Sequence, residues 1–599
     1  MKGSQFLYPA LLKTLIVPPL VFSSCLHLFA LNQLQAIWKI LGYILSFPII
    51  YIIRSHISVY LSSRRARLMG SRDIPRVKGR WPLNLDILVD WAKSGSEEEV
   101  ARMMVLLQRK WGRTYNTRVL GEDQVISSDP AVLKHVLMDD FDNFVKGEKF
   151  KDRAVDFLGD GIFNSDGDRW KFHRSLMRPF FHPAHISPKL FTPSIRAFLD
   201  EVPSDGEGFD VQKELGKLAL EMAILWMTGE HLSSTTSSTK VGLEGNKDED
   251  EDWAKSKDKL ADAMTQAQRI VGKRVKIGTI WPLFELTHDP LLEPMRIIRT
   301  FFEPIIERAI KRKHDRQNLI DDDEKQDKDH LHLIDRLVVA TDDIKLIEDQ
   351  LINTLLAARD TLASCLTFCV YVLILHPEVG SKLREEIRSI VIAGEGDGDG
   401  EITKDVIREL RYTRAYINEV LRLYPPVPLN IRRTLRPSLL PTSSGGQPMY
   451  MPANTSIILA FILMQRDEKV WGDDVNEFKP ERWLNDGLGK KEREAFMSWN
   501  YGPRMCLGQP FALTVTHTFL ILFSRHLDKL SSEGKKLDFA FDSQHENTSI
   551  PSLWTTVEGC DGRARGGKDR MWVVADVVLA IKGGLWVRFD PVETRRIDE

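Results

Sequence analysis

The segment that most constrains the fold of this chain reads Phe-Met-Ser-Trp-Asn-Tyr-Gly-Pro-Arg-Met-Cys-Leu-Gly, at residues 496–508, directly before a run compatible with a helix. Gly502 and Gly508 allow the chain to turn tightly around the Cys506 sulfur and let the backbone approach a flat cofactor. Arg504 offers a planar fork that can bind a carboxylate, and the amides after the cysteine can donate hydrogen bonds to a thiolate. These features are the parts of a loop that ligates haem iron through sulfur. A buried structural cysteine in a glycine-containing turn is the alternative for this segment taken alone.

This segment resembles the cysteine signature of the cytochrome P450 superfamily, Phe-x-x-Gly-x-Arg-x-Cys-x-Gly. It matches the signature at Gly502, Arg504, Cys506 and Gly508, and it has Trp499 where phenylalanine is usual. Tryptophan can still pack on a ring, although its N–H then needs a partner. The resemblance implies a b-type haem (heme b) with Cys506 as the axial ligand to iron and the other four residues around the cofactor.

A glutamate and an arginine three positions apart, Glu419 and Arg422, lie in the helical pattern of residues 408–424, where they can form an ion pair. A solvated surface pair is the alternative, because such pairs are common on helices. Leu-Tyr-Pro-Pro-Val-Pro and then Phe-Lys-Pro-Glu-Arg-Trp follow in the order and spacing of the family, so Arg482 resembles the third member of its Glu-Arg-Arg triad. A buried triad would fix the geometry around the cysteine loop.

Residues 355–361, Leu-Leu-Ala-Ala-Arg-Asp-Thr, lie in a long helical stretch and are similar to the family's oxygen-activation segment. Ala358 occupies the usual glycine position, and Leu362 follows the threonine where Thr or Ser is common. The resemblance implies that Asp360 and Thr361 deliver protons during cleavage of dioxygen. Alternatively, the Asp-Thr pair only perturbs the helix through local hydrogen bonds to its backbone.

Further residues resemble the family's contacts to the haem carboxylates. Trp170 and Arg174 match a Trp-x-x-x-Arg helix, which presents an indole and a guanidinium on one face. Bidentate pairing with a carboxylate suits arginine. Arg432 corresponds to a second propionate contact, with Arg433 as its possible substitute. His173, next to this site, is expected to bind backbone or solvent rather than iron.

Two apolar runs near the N-terminus, residues 14–31 and 36–53, are each just long enough to span a bilayer. A secretory signal peptide competes with this interpretation, but no small-residue cleavage site follows a short apolar core. We therefore predict a retained anchor of one or two transmembrane helices over residues 1–63. By the positive-inside rule, the arginines that follow favour a cytosolic position for the rest of the chain. They are Arg54, Arg64, Arg65, Arg67 and Arg72.

The remainder is predicted to consist of a hinge and a catalytic domain. Residues 64–85 are basic and contain two prolines, which break regular structure, so they predict the hinge. Residues 86–599 predict the catalytic domain, mainly α with minor β, because helical patterns dominate and strand-like pieces are short. We expect surface insertions near residues 233–252, rich in Ser and Thr and then acidic, and near residues 543–570, which lack clear periodicity.

Composition excludes several classes of protein. Hydrophobic residues make up 43% and charged residues 28%, which is too apolar for a disordered chain. A net charge of -2 gives no field that attracts nucleic acid, so no nucleic-acid partner is expected. The five cysteines lack the spacing of a zinc site. Cys365 and Cys369 are four positions apart and share a helix face, and we predict that they are buried core residues.

The resemblance extends from about residue 64 to about residue 588 and is strongest to the fungal membrane-bound group that includes alkane and fatty-acid hydroxylases. It implies the cytochrome P450 fold at the endoplasmic reticulum membrane, facing the cytosol. It also implies insertion of one oxygen atom from O2 into a lipophilic substrate: a fatty acid, an alkane, a terpenoid or an aromatic compound, in secondary metabolism or xenobiotic oxidation.

The expected source of electrons is a separate protein, because no Gly-rich nucleotide fold is recognisable after the oxygenase domain. The resemblance implies that NADPH-cytochrome P450 reductase supplies the electrons. It is expected to dock on a surface to which Lys171 and Arg178 contribute. The alternatives are a haem-thiolate isomerase, dehydratase or peroxygenase, and a non-catalytic membrane haem-binding protein.

Overall fold

Helices dominate the computed structural model, which describes residues 16–28, 35–94, 101–230, 247–318, 332–391, 401–484, 487–540 and 573–591. The predicted fold class, mainly α with minor β, is confirmed. In chain order the helices are α1 (Val17–Leu28), α2 (Ala36–Leu68), α3 (Leu85–Ser94), α4 (Arg102–Trp111), α5 (Pro130–Lys134), α6 (Glu148–Leu158), α7 (Gly167–Met177), α8 (Pro188–Glu201), α9 (Val211–Thr228), α10 (Lys247–Ile277), α11 (Leu292–Asn318), α12 (Leu333–Ala340), α13 (Ile344–Leu375), α14 (Pro377–Val391), α15 (Lys404–Glu409), α16 (Arg411–Leu423), α17 (Phe461–Met464), α18 (Glu468–Trp471), α19 (Lys490–Ala495) and α20 (Gln509–Ser532).

The strands are short and form small sheets. They are β1 (Arg72–Asp73), β2 (Thr114–Asn116), β3 (Gln124–Ser127), β4 (Phe144–Val145), β5 (Phe209–Asp210), β6 (Leu429–Thr434), β7 (Ser438–Leu440), β8 (Met449–Met451), β9 (Ser456–Ala460), β10 (Lys535–Phe539), β11 (Val573–Ala575), β12 (Leu579–Ile581) and β13 (Trp586–Pro591). The largest sheet has the order β2-β3-β9-β6-β4, with β3 parallel to β9 and β6 antiparallel to it. The others have the orders β1-β8-β7, β10-β13-β5 and β11-β12.

Helix α13 runs through the core and is buried along most of its length. The side chain of Asp343 caps its first turn, accepting from the amide of Leu346 at 3.1 Å, and the helix ends just before Pro377. The hydropathy of one 18-residue window, 1.6, would suit a membrane span, but 72% of that window is buried inside the protein. Helix α13 is therefore the central core helix, and Cys365 and Cys369 are core residues on it, as predicted.

Helix α2 has a different environment. Its 33 residues include an 18-residue window of hydropathy 1.9, of which only 6% is buried, so it is long and apolar enough to cross a bilayer. Helix α1 has 12 residues and packs against it, with the rings of Phe22 and Tyr43 5.0 Å apart. Helix α2 continues without a break past residue 63 to Leu68.

The stretch predicted as a hinge makes backbone contacts with the sheets. Arg72 and Asp73 of β1 pair in parallel with β8, and the amide of Val77 donates to the carbonyl of Asn116 at 2.9 Å. The insertion predicted near residues 543–570 lies outside the described residues. So do residues 233–246 of the other insertion, whereas its last residues begin helix α10.

Candidate active site

The cysteine loop is shaped by backbone hydrogen bonds and by one obligatory glycine. The amide of Cys506 donates to the carbonyl of Trp499 at 2.9 Å, and the amide of Met505 donates to the carbonyl of Gly502 at 3.0 Å. Gly502 has a φ of 69°, and a Cβ at this position would collide with the carbonyl oxygen of Leu137. Helix α20 begins directly after this loop, so the sulfur lies at its N-terminal end.

The Cys506 thiol is exposed on one side, while the protein shields the rest of it. This shielding raises the pKa of the thiol, and the amides of Gly508 and Gln509 and the guanidinium of Arg174 act in the opposite direction. Those amides belong to the positive end of a helix, which favours a negatively charged sulfur. A metal ion on the open side would deprotonate such a thiol outright.

Glu419, Arg422 and Arg482 form a buried ion-pair triad. Arg422 donates to both carboxylate oxygens of Glu419 at 2.8 Å, and Nε of Arg482 donates to Oε1 at 2.8 Å. The Trp483 indole also donates to this carboxylate, at 2.9 Å. Burial alone would raise the pKa of Glu419, but the two arginines and the indole hold it below its usual value. The solvated surface pair considered above is therefore wrong, since the side chains of Glu419 and Arg422 are 0% exposed.

Gln465 connects the triad to the cysteine loop. Arg422 donates to the Gln465 carbonyl at 2.9 Å, and Oε1 of Gln465 accepts from the amide of Met497 and the hydroxyl of Ser498, each at 3.0 Å. The Ser498 hydroxyl also lies 2.8 Å from the Leu421 carbonyl of α16. Through Gln465, the triad thus positions Met497 and Ser498, the residues that lead into the cysteine loop.

Arg432, Arg504 and Lys146 form a cluster of cations with one carboxylate, Asp166. Arg504 donates to Asp166 at 2.9 Å, whereas Arg432, 1% exposed, donates to the neutral Asn430 side chain at 2.8 Å. Nε of Arg432 has no hydrogen-bond partner in the described part of the chain.

Burial and mutual repulsion lower the pKa values of the three cationic side chains in this cluster. Burial, and then Arg504, lower the pKa of Arg432 to about 9, and burial lowers the pKa of Arg504 to about 10. Burial also holds the pKa of Lys146 well below its usual value, with Arg432 and Arg504 acting in the same direction. Arg433 follows Arg432 directly on β6. Because successive side chains of a strand point to opposite faces of the sheet, Arg433 does not take part in the cation cluster.

Trp170 and Arg174 of α7 lie beside the same cluster. The guanidinium carbon of Arg504 is 4.5 Å from the centre of the Trp170 ring, and that of Arg174 is 5.7 Å from it. Nη2 of Arg174 donates to the Met505 carbonyl at 3.0 Å, which joins α7 to the cysteine loop. Helix α7 thus contacts both the cation cluster, through Trp170, and the cysteine loop, through Arg174.

His173 of α7 is fully buried, and it contacts the central helix α13. Its Nδ1 lies 2.8 Å from Nε2 of Gln350 on α13. The partner is therefore a side chain, and the expected backbone or solvent partner was wrong. This bond ties α7 to the central helix.

The acid and the alcohol of α13 have different surroundings. The Thr361 hydroxyl donates to the carbonyl of Ala357 at 2.5 Å, whereas Oδ1 of Asp360 lies 3.4 Å from Nη1 of Arg359. Oδ2 of Asp360 is buried without a hydrogen-bond partner among the described residues. Burial raises the pKa of Asp360, and the Arg359 charge and then a hydrogen bond with the Gln268 side chain oppose that rise.

Helix α13 meets α20 one turn after Thr361. Cys365 lies four residues beyond Thr361, hence on the same face, and its sulfur is 3.9 Å from the hydroxyl of Thr516. Thr361 therefore faces the side of the protein where α20 begins with the cysteine loop. Ala358 and Leu362, which depart from the family pattern, are 8% and 1% exposed.

A family model described as Cytochrome P450 matches residues 75–544. The chain belongs to the cytochrome P450 family. As a cytochrome P450 it is an oxidoreductase of the monooxygenase class, as predicted. Membership implies haem with a cysteine thiolate as the iron ligand.

The cytochrome P450 has many curated relatives in fungi. It is 31% identical to Cytochrome P450 52A1 of Candida tropicalis over 408 residues, 67% of this chain and 72% of the relative. It is 30% identical to Cytochrome P450 52A13 of Debaryomyces hansenii over 424 residues, 70% of this chain and 78% of the relative. Cytochrome P450 monooxygenase fsdH of Fusarium heterosporum is 27% identical over 496 residues, 80% and 82% of the two chains. The predicted resemblance to the fungal group is confirmed.

The residues of this cytochrome P450 fit a haem. Several buried cations share one carboxylate, and Nε of Arg432 has no partner among the described residues, so the cluster can bind the two carboxylates that haem carries. The indole of Trp170 packs on Arg504, and Arg174 binds the Met505 carbonyl directly before the sulfur of Cys506. This donor set combines a soft sulfur for iron with hard cations for carboxylates.

Sequence reasoning missed three residues of this site: Lys146, Asp166 and Gln465. Asp166 accepts from the amides of Lys146 and Gly147 as well as from Arg504, and so it orders both ends of the cation cluster. None of the three belongs to a recognisable motif. The one available signal was Asp166 itself, an N-cap type of residue directly before the predicted Trp-x-x-x-Arg helix.

Proposed function

We propose that this cytochrome P450 inserts one oxygen atom from O2 into a lipophilic substrate, with a fatty acid or an alkane as the first candidates. The acid and alcohol at Asp360 and Thr361 carry this proposal. Oδ2 of Asp360 is buried and has no hydrogen-bond partner among the residues that the structure describes. Because the next residue carries a hydroxyl on the face toward α20, this arrangement supports proton delivery. An isomerase or a dehydratase has no need for such a relay.

The proposed roles of the other residues follow from their contacts. Cys506 holds the iron of a b-type haem, while Trp499, Gly502 and Gly508 shape the loop on that side. Trp170, Arg174, Arg432 and Arg504 hold the propionates, and Glu419, Arg422 and Arg482 fix the loop through Gln465. The bound haem supplies the chemistry that activates oxygen, with the thiolate donating electron density to the iron.

The proton relay starts at Asp360. Burial favours its protonated form, so the acid can hold a proton at Oδ1 or Oδ2 and release it toward the Thr361 hydroxyl through water. The Thr361 hydroxyl is held by the Ala357 carbonyl and can pass a proton while its oxygen accepts another. Leu362, buried beside it, limits entry of further water.

The proposed setting is the endoplasmic reticulum membrane, with the catalytic part facing the cytosol and α2 as the anchor. The proposed electron donor is NADPH-cytochrome P450 reductase. Its docking is supported by Lys171 and Arg178, which are exposed on or next to α7, the helix whose Arg174 contacts the cysteine loop. Electrons would enter where the sulfur is nearest the surface.

The test uses microsomes that contain the full chain together with a reductase. Fatty acids and alkanes are supplied under 18O2, and product and NADPH consumption are measured. We expect substrate-dependent consumption of NADPH and one 18O atom in each product molecule. Cys506→Ala should abolish both, together with the red-shifted Soret band of the reduced carbonyl complex.

Three outcomes would contradict the proposal. Turnover that needs peroxide but not NADPH would make the protein a peroxygenase. A product without 18O would make it an isomerase or a dehydratase. If the red-shifted Soret band of the carbonyl complex persists in Cys506→Ala, Cys506 is not the iron ligand.

A further inference from the structure

A cavity of about 520 Å³ lies between helix α2 and the sheets, away from the cysteine loop. One wall is a single face of α2, whose lining residues recur at helical spacing: Arg54, Ser58, Leu61, Ser62 and Arg65. The opposite wall is the turn between β8 and β9 together with Arg433 of β6. The cavity therefore joins the proposed membrane helix to the catalytic part.

The cations of this cavity exceed its carboxylates. Lys149 is paired with Glu122 at 2.7 Å, and Asp123 is paired with Arg118 at 2.6 Å, so both carboxylates are neutralised. Arg54, Arg65 and Arg433 make no side-chain hydrogen bond or ion pair with any residue that the structure describes; all three line the cavity. Burial lowers the pKa of Arg433, and the Glu122 carboxylate opposes that shift. A bound anion would act in the same direction as Glu122.

The walls of the cavity are fixed relative to one another. Nη2 of Arg118 donates to the carbonyl and to the hydroxyl of Ser55 at 3.2 and 3.3 Å. The Ser71 hydroxyl donates to the carbonyl of Ala66 at 2.9 Å, and β1 then pairs with β8, which leads into the opposite wall. The cavity is thus preformed rather than dependent on a loop closing over it.

The position of the cavity follows from the length of the apolar part of α2. Residues 36–53 rise about 27 Å as a helix, close to the thickness of the hydrocarbon core of a bilayer. Arg54 comes directly after them, so it lies at the level of the lipid headgroups if α2 spans the membrane. The cavity begins at Arg54 and continues along α2 to Arg65.

We propose that this cavity binds the phosphate headgroup of an anionic phospholipid; the proposal rests on the membrane anchoring proposed above. Guanidinium groups bind phosphate through paired hydrogen bonds, and Ser58 and Ser62 add hydroxyl donors. Both carboxylates among the described lining residues are already paired, so neither is free to attract the quaternary ammonium of phosphatidylcholine. The site selects phosphatidylserine or phosphatidic acid over a zwitterionic lipid.

The test compares two charge-matched double variants of the full chain in lipid nanodiscs. Arg54→Gln with Arg65→Gln removes two cavity arginines, whereas Arg64→Gln with Arg67→Gln removes two exposed arginines of the same helix that do not line the cavity. The discs contain phosphatidylcholine alone, phosphatidylcholine with phosphatidylserine, or phosphatidylcholine with inorganic phosphate in the buffer. Hydrogen exchange of residues 450–456, the turn in the opposite wall, is the measurement.

We expect phosphatidylserine to slow exchange of this turn in the wild type and in the Arg64 and Arg67 variant. In the Arg54 and Arg65 variant the phosphatidylserine fraction needed for half of the effect should rise about thirtyfold, since two basic residues are lost and each contributes about 1 kcal/mol at an anionic surface.

Four results would overturn the proposal. If both double variants lose protection by phosphatidylserine equally, the effect is one of general surface charge and not of this cavity. Equal protection by inorganic phosphate in phosphatidylcholine discs would assign the cavity to a soluble anion instead of a lipid. A wild-type chain that does not remain in the discs at all would refute the anchor and the lipid site together, whereas a retained chain without a phosphatidylserine effect would refute the lipid site alone.

Discussion

At the scale of single residues, two threonines of α13 make the same local bond in different places. The Thr361 hydroxyl donates to the carbonyl of Ala357 at 2.5 Å, and the Thr367 hydroxyl donates to that of Ala363 at 2.7 Å. We predict that Thr361→Ala keeps the haem and the carbonyl spectrum but lowers product formed per NADPH, with peroxide released instead. A proton donor contributes about 10² to 10⁴ in rate, so the loss should be clear even if water partly replaces the hydroxyl.

Thr367→Ala is the matched control, because it removes the same type of hydroxyl from the same helix. It should leave both the coupling and the peroxide unchanged. An unchanged product-to-NADPH ratio in Thr361→Ala, without a rise in peroxide, would place the relay elsewhere.

Arg359 should set the pH at which Asp360 ionises. Burial raises the pKa of this acid, and the Arg359 charge, 3.4 Å away, counteracts the rise. Arg359→Gln removes the counteracting charge, so the pKa of Asp360 should rise further and the acid should stay protonated to higher pH. We predict that the inflection in product per NADPH against pH moves upward in Arg359→Gln and is absent in Asp360→Asn. An inflection that keeps its position in Arg359→Gln would contradict this.

At the scale of elements, the triad joins α16 to the loop that precedes α20. Glu419 pairs with both arginines, and Arg482 also pairs with Asp474 at 3.3 Å. Glu419→Gln therefore leaves the buried Arg422 without its carboxylate partner and Arg482 with Asp474 alone. We predict a loss of about 3 to 5 kcal/mol in the free energy of unfolding, because breaking a buried ion pair leaves an uncompensated charge. Chemical unfolding followed by fluorescence, with haem absorbance in parallel, measures it.

Glu494→Gln is the control for this prediction. Glu494 pairs with Lys134 at 3.4 Å, and both side chains are 38% exposed. Its loss should cost at most about 1 kcal/mol, as expected for a surface pair. Similar losses in the two variants would show that the buried triad does not stabilise the fold.

The elements also show which parts of the site could be predicted from sequence. The cysteine loop and the Trp170 helix are local, so their residue types and spacing indicate their chemistry directly. Lys146, Asp166 and Gln465 act through contacts with distant parts of the chain, such as Asp166 with Arg504, 338 residues apart. A local pattern cannot show such contacts, because the fold alone brings these residues together.

The same limit applies to the helices. Hydropathy alone gives α2 and α13 similar profiles, and only packing separates them: α13 is covered on all sides, while the apolar part of α2 is exposed. The continuation of α2 to Leu68 depends on its contacts with the catalytic part, since Ala66 is 1% exposed. The predicted boundaries at residues 63 and 85 stay predictions.

At the scale of the whole molecule, α2 serves two functions along its length. Its first half is exposed and apolar, and its second half packs on the catalytic part through Ser55 and Ala66. We predict that a chain lacking residues 1–53 leaves the membrane but keeps most of its thermal stability, although it loses the hydrogen bond from the Tyr51 hydroxyl to the Leu120 carbonyl. A chain lacking residues 1–70 should also be soluble but less stable by about 1 to 3 kcal/mol, since it loses buried contacts and hydrogen bonds. Equal melting temperatures for the two chains would contradict a structural role for residues 54–70.

The orientation of the whole molecule in the membrane can be tested on Asn454. This residue begins an Asn-x-Ser triplet and is exposed in the turn between β8 and β9, so it would be accessible to the glycosylation machinery in the lumen. The arginines after residue 53 favour the cytosolic side instead. We therefore predict that protease added to sealed microsomes digests the chain after α2, and that endoglycosidase leaves its mobility unchanged. Microsomes opened with detergent serve as the control, since digestion there does not depend on orientation. Protection of the catalytic part in sealed microsomes, with a glycan on Asn454, would reverse the topology, and the arginine-lined cavity would then face the luminal leaflet.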